Sequence, residues 1–201
     1  MATHNRDKLA EIRDIFSGLP LELLSLADFP ATTPVKETGT SLRENALLKA
    51  QAAHRETGLP ALADDTGLEV DALGGAPGIY AARFAGIGAT YRQNREKLLK
   101  ALEAVPDPER TARFRTCALY LDDSREVAAE GVVEGAITRG ALGDLGFGYD
   151  SIFRALGTVE TFGQMSMTEK RQISHRGRAL KALYKELVRL FLIPQSKEIA
   201  A

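Results

Sequence analysis

Pro60-Ala61-Leu62-Ala63-Asp64-Asp65-Thr66-Gly67-Leu68-Glu69-Val70-Asp71-Ala72-Leu73 is the stretch on which the choice of fold turns. Pro60 to Ala63 is a short apolar run that reads as a strand, the two aspartates mark its end, and Leu68 to Leu73 reads as a second short strand. On the N-terminal side, Ser41-Leu42-Arg43-Glu44 has the capping-box pattern that opens a helix, here reaching about Thr57. On the C-terminal side, the glycine-rich turn Gly74-Gly75-Ala76-Pro77-Gly78 leads toward a second such pattern, Thr90-Tyr91-Arg92-Gln93, and a helix to about Ala104. Farther out, Leu9, Ile12, Ile15 and Phe16 have helical spacing in Asp7 to Phe16, and Leu21 to Leu26 reads as a strand. Residues 112–121 and 125–137 alternate like two strands around the turn Asp122-Asp123-Ser124. Leu180, Leu183, Tyr184, Leu187, Val188 and Phe191 lie on one face of a final helix that Ser174 can cap. Helices and strands interleaved in this order predict an α/β fold.

Composition narrows the function. The 201 residues can bury a core without disulfide or metal staples, because 44% are apolar. A formal net charge of −1 provides no global basic field for a nucleic-acid backbone, so any polyanion must be gripped by a local cluster of cations. That favours a small phosphorylated ligand over DNA or RNA. Cys117 is the only cysteine, which excludes an intramolecular disulfide and a thiolate zinc site and leaves it as a core residue of an apolar strand. No apolar run reaches the roughly eighteen residues of a membrane span and no signal-peptide pattern opens the chain. The expectation is a cytoplasmic protein with no membrane partner. There is no internal repeat, and neither 105–110 nor the tail after Pro194 is long enough to be a linker, so residues 1–201 are expected to form one domain.

Four segments combine turn chemistry with charge. Thr3-His4-Asn5-Arg6-Asp7-Lys8 precedes the first helix, where backbone amides together with Asn and Lys side chains can cradle phosphate; a plain N-cap with surface charges fits as well. In the segment from Glu37 to Lys49, Glu44 has a structural explanation as the reciprocal partner of Ser41, whereas Glu37 precedes a glycine turn and has none. Lys49 can reach back toward phosphate or face solvent. Asp64 and Asp65 suit a hard cation with oxygen ligands, although neighbours in an extended chain point to opposite sides and only one can readily face a given site. No G-x-x-x-x-G-K-[ST] occurs, which counts against a Walker-type ATPase. Last, Gly146-Phe147-Gly148-Tyr149-Asp150 can lay an aromatic ring against a planar base, and Lys170, His175 and Arg176 precede the final helix. His175 reads equally well as a structural or a functional histidine.

Taken together, these segments resemble the inosine triphosphate pyrophosphatase family. The resemblance is carried by Thr3-His4-Asn5 with Lys8, Glu37-Thr38-Gly39 with Glu44-Asn45-Ala46, Ala63-Asp64-Asp65-Thr66-Gly67-Leu68, Gly74-Gly75-Ala76-Pro77-Gly78, Phe147-Gly148-Tyr149-Asp150 and Ile173-Ser174-His175-Arg176. Each motif alone is weak to moderate, but the ordered set spans nearly the whole chain and is specific. The resemblance implies an elongated, two-lobed α/β structure with a long mixed sheet flanked by helices, a central substrate cleft, and a homodimer. It implies Mg²⁺-dependent hydrolysis of dITP, ITP and XTP to the monophosphate and pyrophosphate. Thr3, His4, Asn5, Arg6, Asp7 and Lys8 would then hold the triphosphate, with Lys49 and Lys170 adding positive charge. Glu37 and Asp65 would bind Mg²⁺, Asp65 would also accept the proton of the attacking water, and Thr66 would contact substrate beside it. Phe147, Gly148, Tyr149, Asp150, His175 and Arg176 would enclose and read the base.

The sequence departs from the family pattern in places. An apolar strand is expected ahead of Ala2-Thr3, and Met1 falls where it should end, so the N-terminal strand is expected to be truncated. Ser151 stands where proline usually follows Tyr-Asp, Gly163-Gln164 replaces a common Ala-Glu, and Arg171 a common Asn. No Ser/His/Asp or Cys/His set suggests a covalent intermediate, so direct attack by water is the expected chemistry. A broader nucleoside triphosphate pyrophosphatase and a non-catalytic nucleotide-binding module are the rival readings. The second is disfavoured because both Glu37 and Asp65 are present.

Overall fold

The two short strands expected around Asp64-Asp65 are one strand, β1 (Ala61–Val70), and Asp71–Leu73, expected to continue the second, forms a 3-10 turn instead. The ladder of β1 with β3 (Thr111–Leu121) runs unbroken from Ala61↔Leu121 to Val70↔Ala112, which places the aspartates opposite Ala118 and Cys117 rather than at a strand end. Gly67 is not a turn residue either. It serves the close approach of the next strand, β2 (Pro77–Gly78), since a side chain there would meet the Gly78 carbonyl oxygen at 2.9 Å. The computed structural model describes residues 1–2, 12–13, 15–17, 22–29, 32–33 and 35–191.

These residues form a five-stranded sheet in the order β2-β1-β3-β4-β5, with β4 spanning Glu126–Ile137 and β5 Phe153–Ala155. All four pairings are antiparallel, so the parallel pairings of a mixed sheet would have to come from outside the described residues. The β3–β4 hairpin is as expected to within a residue. Its turn is fixed by Asp122, whose carboxylate accepts from the amides of Ser124 and Arg125. Alternation along the strands creates two faces. On one, Ala61, Ala63, Cys117 and Leu119 pack against Ala46, Ala50 and Ala53 of α1 (Leu42–Thr57). On the other, Leu62 and Ala118 pack against Ala179, Leu180 and Leu183 of the last helix, and Leu68, Val70, Phe114 and Val133 pack beneath Leu98 of α2 (Tyr91–Ala101).

The helix ends follow their sequence signals. Thr90 and Gln93 form a full capping box on α2. Ser41 accepts the amide of Glu44, but the Glu44 carboxylate takes the Thr40 amide and hydroxyl, one residue before the expected partner. A short helix that the periodicity did not announce, α3 (Met167–Ile173), precedes α4 (His175–Phe191). Ser174 joins them: its amide donates to the Lys170 carbonyl, and its hydroxyl caps α4 by accepting from Gly177. The strand expected over 21–26 is not found at the described residues 22–26. There Ser25 accepts from Ala27 and Asp28 bonds back to the Ser25 amide, a local capping arrangement that draws the backbone into a single turn. Residues 12, 13, 15 and 16 are helical, as their spacing predicts. Cys117 is wholly buried, and burial pushes its thiol up to about 11, so it is an inert core residue.

Gly131 of β4 sets how closely α4 lies on the sheet, because a Cβ there would collide with the His175 carbonyl oxygen and the Ala179 amide. Gly131→Ala is therefore expected to push the start of α4 outward and cost about 1–3 kcal/mol of stability. Its urea midpoint should fall accordingly, and an unchanged midpoint would show that the helix is not seated by this contact.

Candidate active site

Because β1 is one continuous strand, Asp64 and Asp65 project from opposite faces and meet different helices. Asp65 turns toward α1 and Asp64 toward α4. Each is neutralised there by a cation. Lys49 of α1 donates to Asp65 Oδ1 at 2.6 Å, and Arg176 of α4 donates through Nε to Asp64 Oδ2 at 3.1 Å. Buried carboxylates require such partners, and both pairs are largely or wholly excluded from solvent.

Around Asp65 a charged network closes. Lys49 Nζ also donates to Glu37 Oε1 at 3.2 Å, so one ammonium bridges the two carboxylates. Arg83 holds the other oxygen of Glu37 at 2.9 Å. Asn45, fully buried on α1, donates to Asp65 Oδ2 and accepts from the Gly39 amide, tying the loop that carries Glu37 to the strand that carries Asp65. Burial alone would raise the Glu37 carboxyl, but Lys49 and Arg83 outweigh it and hold the group below the usual carboxylate range. For Lys49 burial acts downward, yet the charges of Asp65, Asp64 and Glu37 carry the ammonium above its ordinary value, so it is cationic at neutral pH.

The other end of the same cleft, about 290 Å³ in volume, is aromatic. Phe147 is half-buried, with Lys170 Nζ 4.7 Å and the Arg176 guanidinium 5.3 Å from its ring centre, and with Tyr91 of α2 beside it at 6.2 Å. Lys170 is itself buried and donates to Asp150 at 2.7 Å, and the same Asp150 oxygen accepts the Phe147 amide. His175 stacks on Phe114 with ring centres 4.4 Å apart and planes 16° from parallel. Tyr149 is buried with its hydroxyl donating to the Ala81 carbonyl, and burial raises the phenol far above its ordinary value. Thr66 bonds to Thr116 at 2.7 Å and receives Arg176 Nη2 at 3.3 Å.

Of the residues singled out in the sequence, Glu37, Lys49, Asp65, Thr66, Phe147, Gly148, Tyr149, Asp150, Lys170, His175 and Arg176 line this one cleft. Thr3, His4, Asn5, Arg6, Asp7 and Lys8 lie outside the described residues. Lys170, expected among the phosphate-binding cations, sits against Phe147 and Asp150 at the aromatic end. Asp65 belongs to a strand interior and not to a turn. Arg83, Asn45, Tyr91 and Arg95, which donates to the Gly148 carbonyl at 2.8 Å, were assigned no role from sequence. Asn45 stands inside the quoted motif Glu44-Asn45-Ala46 and Arg83 shortly after Gly74-Gly75-Ala76-Pro77-Gly78, but nothing in their spacing says which carboxylate each meets.

The sequence matches the Ham1 family over residues 1–186. It is 47% identical over 191 residues to a dITP/XTP pyrophosphatase of Vibrio parahaemolyticus, covering 93% of this chain and 94% of that one. With the dITP/XTP pyrophosphatase of Geobacter sulfurreducens the identity is 48% over 184 residues, 91% of this chain and 92% of the other. The fold is similar to that of a HAM1 protein from Coxiella burnetii, with a TM-score of 0.85 and 39% identity, covering 93% of this chain and 96% of that one.

The depressed Glu37 carboxyl makes a stability prediction with a definite sign. Its ion pairs contribute in full above its ordinary value of 4.5, and the contribution is lost as pH falls through the lower folded value. In Glu37→Gln the decline of Tm between about pH 5 and about pH 3 should be shallower than in the wild type. Parallel Tm curves for the two proteins would refute the pairing.

Proposed function

The chain belongs to the Ham1 family, and on that premise we propose that it hydrolyses non-canonical purine nucleoside triphosphates, dITP and XTP among them, to the monophosphate and pyrophosphate. The observation that carries this reading is the polarity of the cleft. One end gathers Glu37, Asp65, Lys49 and Arg83, which is the chemistry of a polyphosphate, and the other presents the half-buried Phe147 ring with cationic donors beside it, which is the chemistry of a base. The names of the curated relatives point the same way.

The donor set fits Mg²⁺, an ion content with one or two carboxylates alongside substrate phosphates and its own waters, and Glu37 and Asp65 already surround a cation. Bound there, Mg²⁺ would neutralise phosphate charge and favour the departure of pyrophosphate. Asp65 is the proposed acceptor of the proton from the attacking water, held in place by Asn45. Lys49 neutralises Asp65 in the free protein, and its pairing with the phosphates of a bound substrate instead would leave the carboxylate able to take that proton. Arg83 keeps Glu37 oriented. At the other end Phe147 stacks on the base, and Arg176, which carries only donors, pairs with a carbonyl at the purine 6-position and meets the adenine amino group donor to donor. The homodimer and the cytoplasmic location implied by the family resemblance belong to the same reading, and light scattering on the purified protein tests the first.

Pyrophosphate release from dITP is expected with Mg²⁺ and not after its removal by chelation. Asp65→Asn keeps the size of the side chain but cannot accept the proton, so kcat should fall on the order of 10²-fold or more while substrate still binds. Near-normal kcat at saturating Mg²⁺ would remove Asp65 from the role. Arg176→Ala should lower kcat/KM for dITP far more than for dATP, since a site built around a hydrogen bond can reject the wrong partner by roughly 10⁴-fold.

A further inference from the structure

We propose that Asp64, the neighbour of the proposed proton acceptor, is a positioning residue for base selection: it fixes the orientation of Arg176 and thereby the preference for a purine with a 6-carbonyl. The inference rests on Arg176 reading the base.

The geometry restricts Asp64 to this face of the sheet. With Asp65 turned to α1, strand alternation leaves Asp64 facing α4, and its carboxylate meets Arg176 Nε at 3.1 Å with the two side chains only 2% and 3% exposed. A second tether lies two residues on, where Thr66 accepts from Arg176 Nη2 and is itself held by Thr116. A guanidinium is planar and its donors form a rigid fork, so two tethers at different nitrogens fix both the plane and the directions of its N–H bonds. Phe147 then covers the group from one side. The arginine enters the cleft wall as a preset element and not as a flexible chain that searches for its partner, which is what hydrogen-bonded selectivity requires.

A stabilising role explains the pair less well. Burying two charges costs several kcal/mol per ion in desolvation, and apolar replacements of such pairs are often neutral or better for stability. A pair held at that cost in a cleft wall, one residue from the proposed proton acceptor, fits a demand for orientation. The rival role is electrostatic: the charge of Asp64 also acts on Lys49, and on that account its loss would be felt at the phosphate end.

The two roles separate in kinetics. Measured on the full chain with dITP and dATP, Asp64→Asn is expected to compress the ratio of their kcat/KM values by on the order of 10-fold or more, mainly by loss on dITP. The Mg²⁺ concentration for half-maximal rate should stay at the wild-type value. Equal losses on both substrates, or a shifted Mg²⁺ requirement with the ratio intact, would overturn the proposal in favour of the electrostatic role. Arg176→Ala run alongside distinguishes the premise from the inference. If Arg176→Ala compresses the ratio and Asp64→Asn does not, base reading by Arg176 stands and positioning by Asp64 falls. If neither compresses it, base reading by Arg176 fails first and the inference with it. Should Asp64→Asn not fold, Asp64→Glu keeps the charge beside the arginine but displaces the carboxylate by one methylene, and it is expected to compress the ratio in the same direction.

Discussion

Two buried aspartates on one strand, each answered by a cation from a different helix, are the constraint on which the site depends. β1 has to run straight through Asp64 and Asp65 for them to face opposite ways. Once it does, α1 must bring Lys49 to one face and α4 must bring Arg176 to the other, because neither carboxylate can be left buried and unpaired. The seating of both helices follows. α1 approaches on alanines, which let its backbone come near the sheet, and α4 approaches over Gly131.

From that arrangement the cleft inherits its division of labour. The α1 face leads to Glu37 and Arg83 and to a concentration of charge. The α4 face leads to Phe114, His175 and Phe147, where cations are either spent on carboxylates or laid against rings. A nucleotide has the same two ends, separated by a ribose. On the proposed reading the cleft is matched to the whole nucleotide and not to phosphate alone.

Much of this was legible in the chain. The capping box of Thr90 and Gln93, the Ser41 cap of α1, the β3–β4 hairpin and the apolar face of α4 are local signals, set by residues within a few positions of one another, and they appear in the structure close to where the sequence puts them. The set of cleft residues was legible through the ordered motifs. Less legible was the conformation at Asp64-Asp65-Thr66-Gly67, where aspartate and glycine give the composition of a turn. The local preference is overridden because β3 offers a full ladder and the backbone of β2 needs the space that Gly67 leaves. Likewise Ser25 and Asp28 cap one another locally, and the strand expected over Leu21 to Leu26 is not formed at the described residues 22–26.

The sequence by itself determined the α/β class, the starts of α1, α2 and α4, the inert cysteine and the absence of a global basic field, since each depends on composition or on short-range spacing, and the inventory of cleft residues came from the ordered family motifs. Tertiary structure alone decided who partners whom. Asp65 meets Lys49 and Asn45, Asp64 meets Arg176 across 112 positions, Glu37 meets Arg83 across 46, and Lys170 goes to Asp150 and Phe147. Those choices are long-range because a charge removed from water takes whichever opposite charge the packed elements bring within a few ångströms, and the packing is settled by the cores on both faces of the sheet and not by the charged residues themselves.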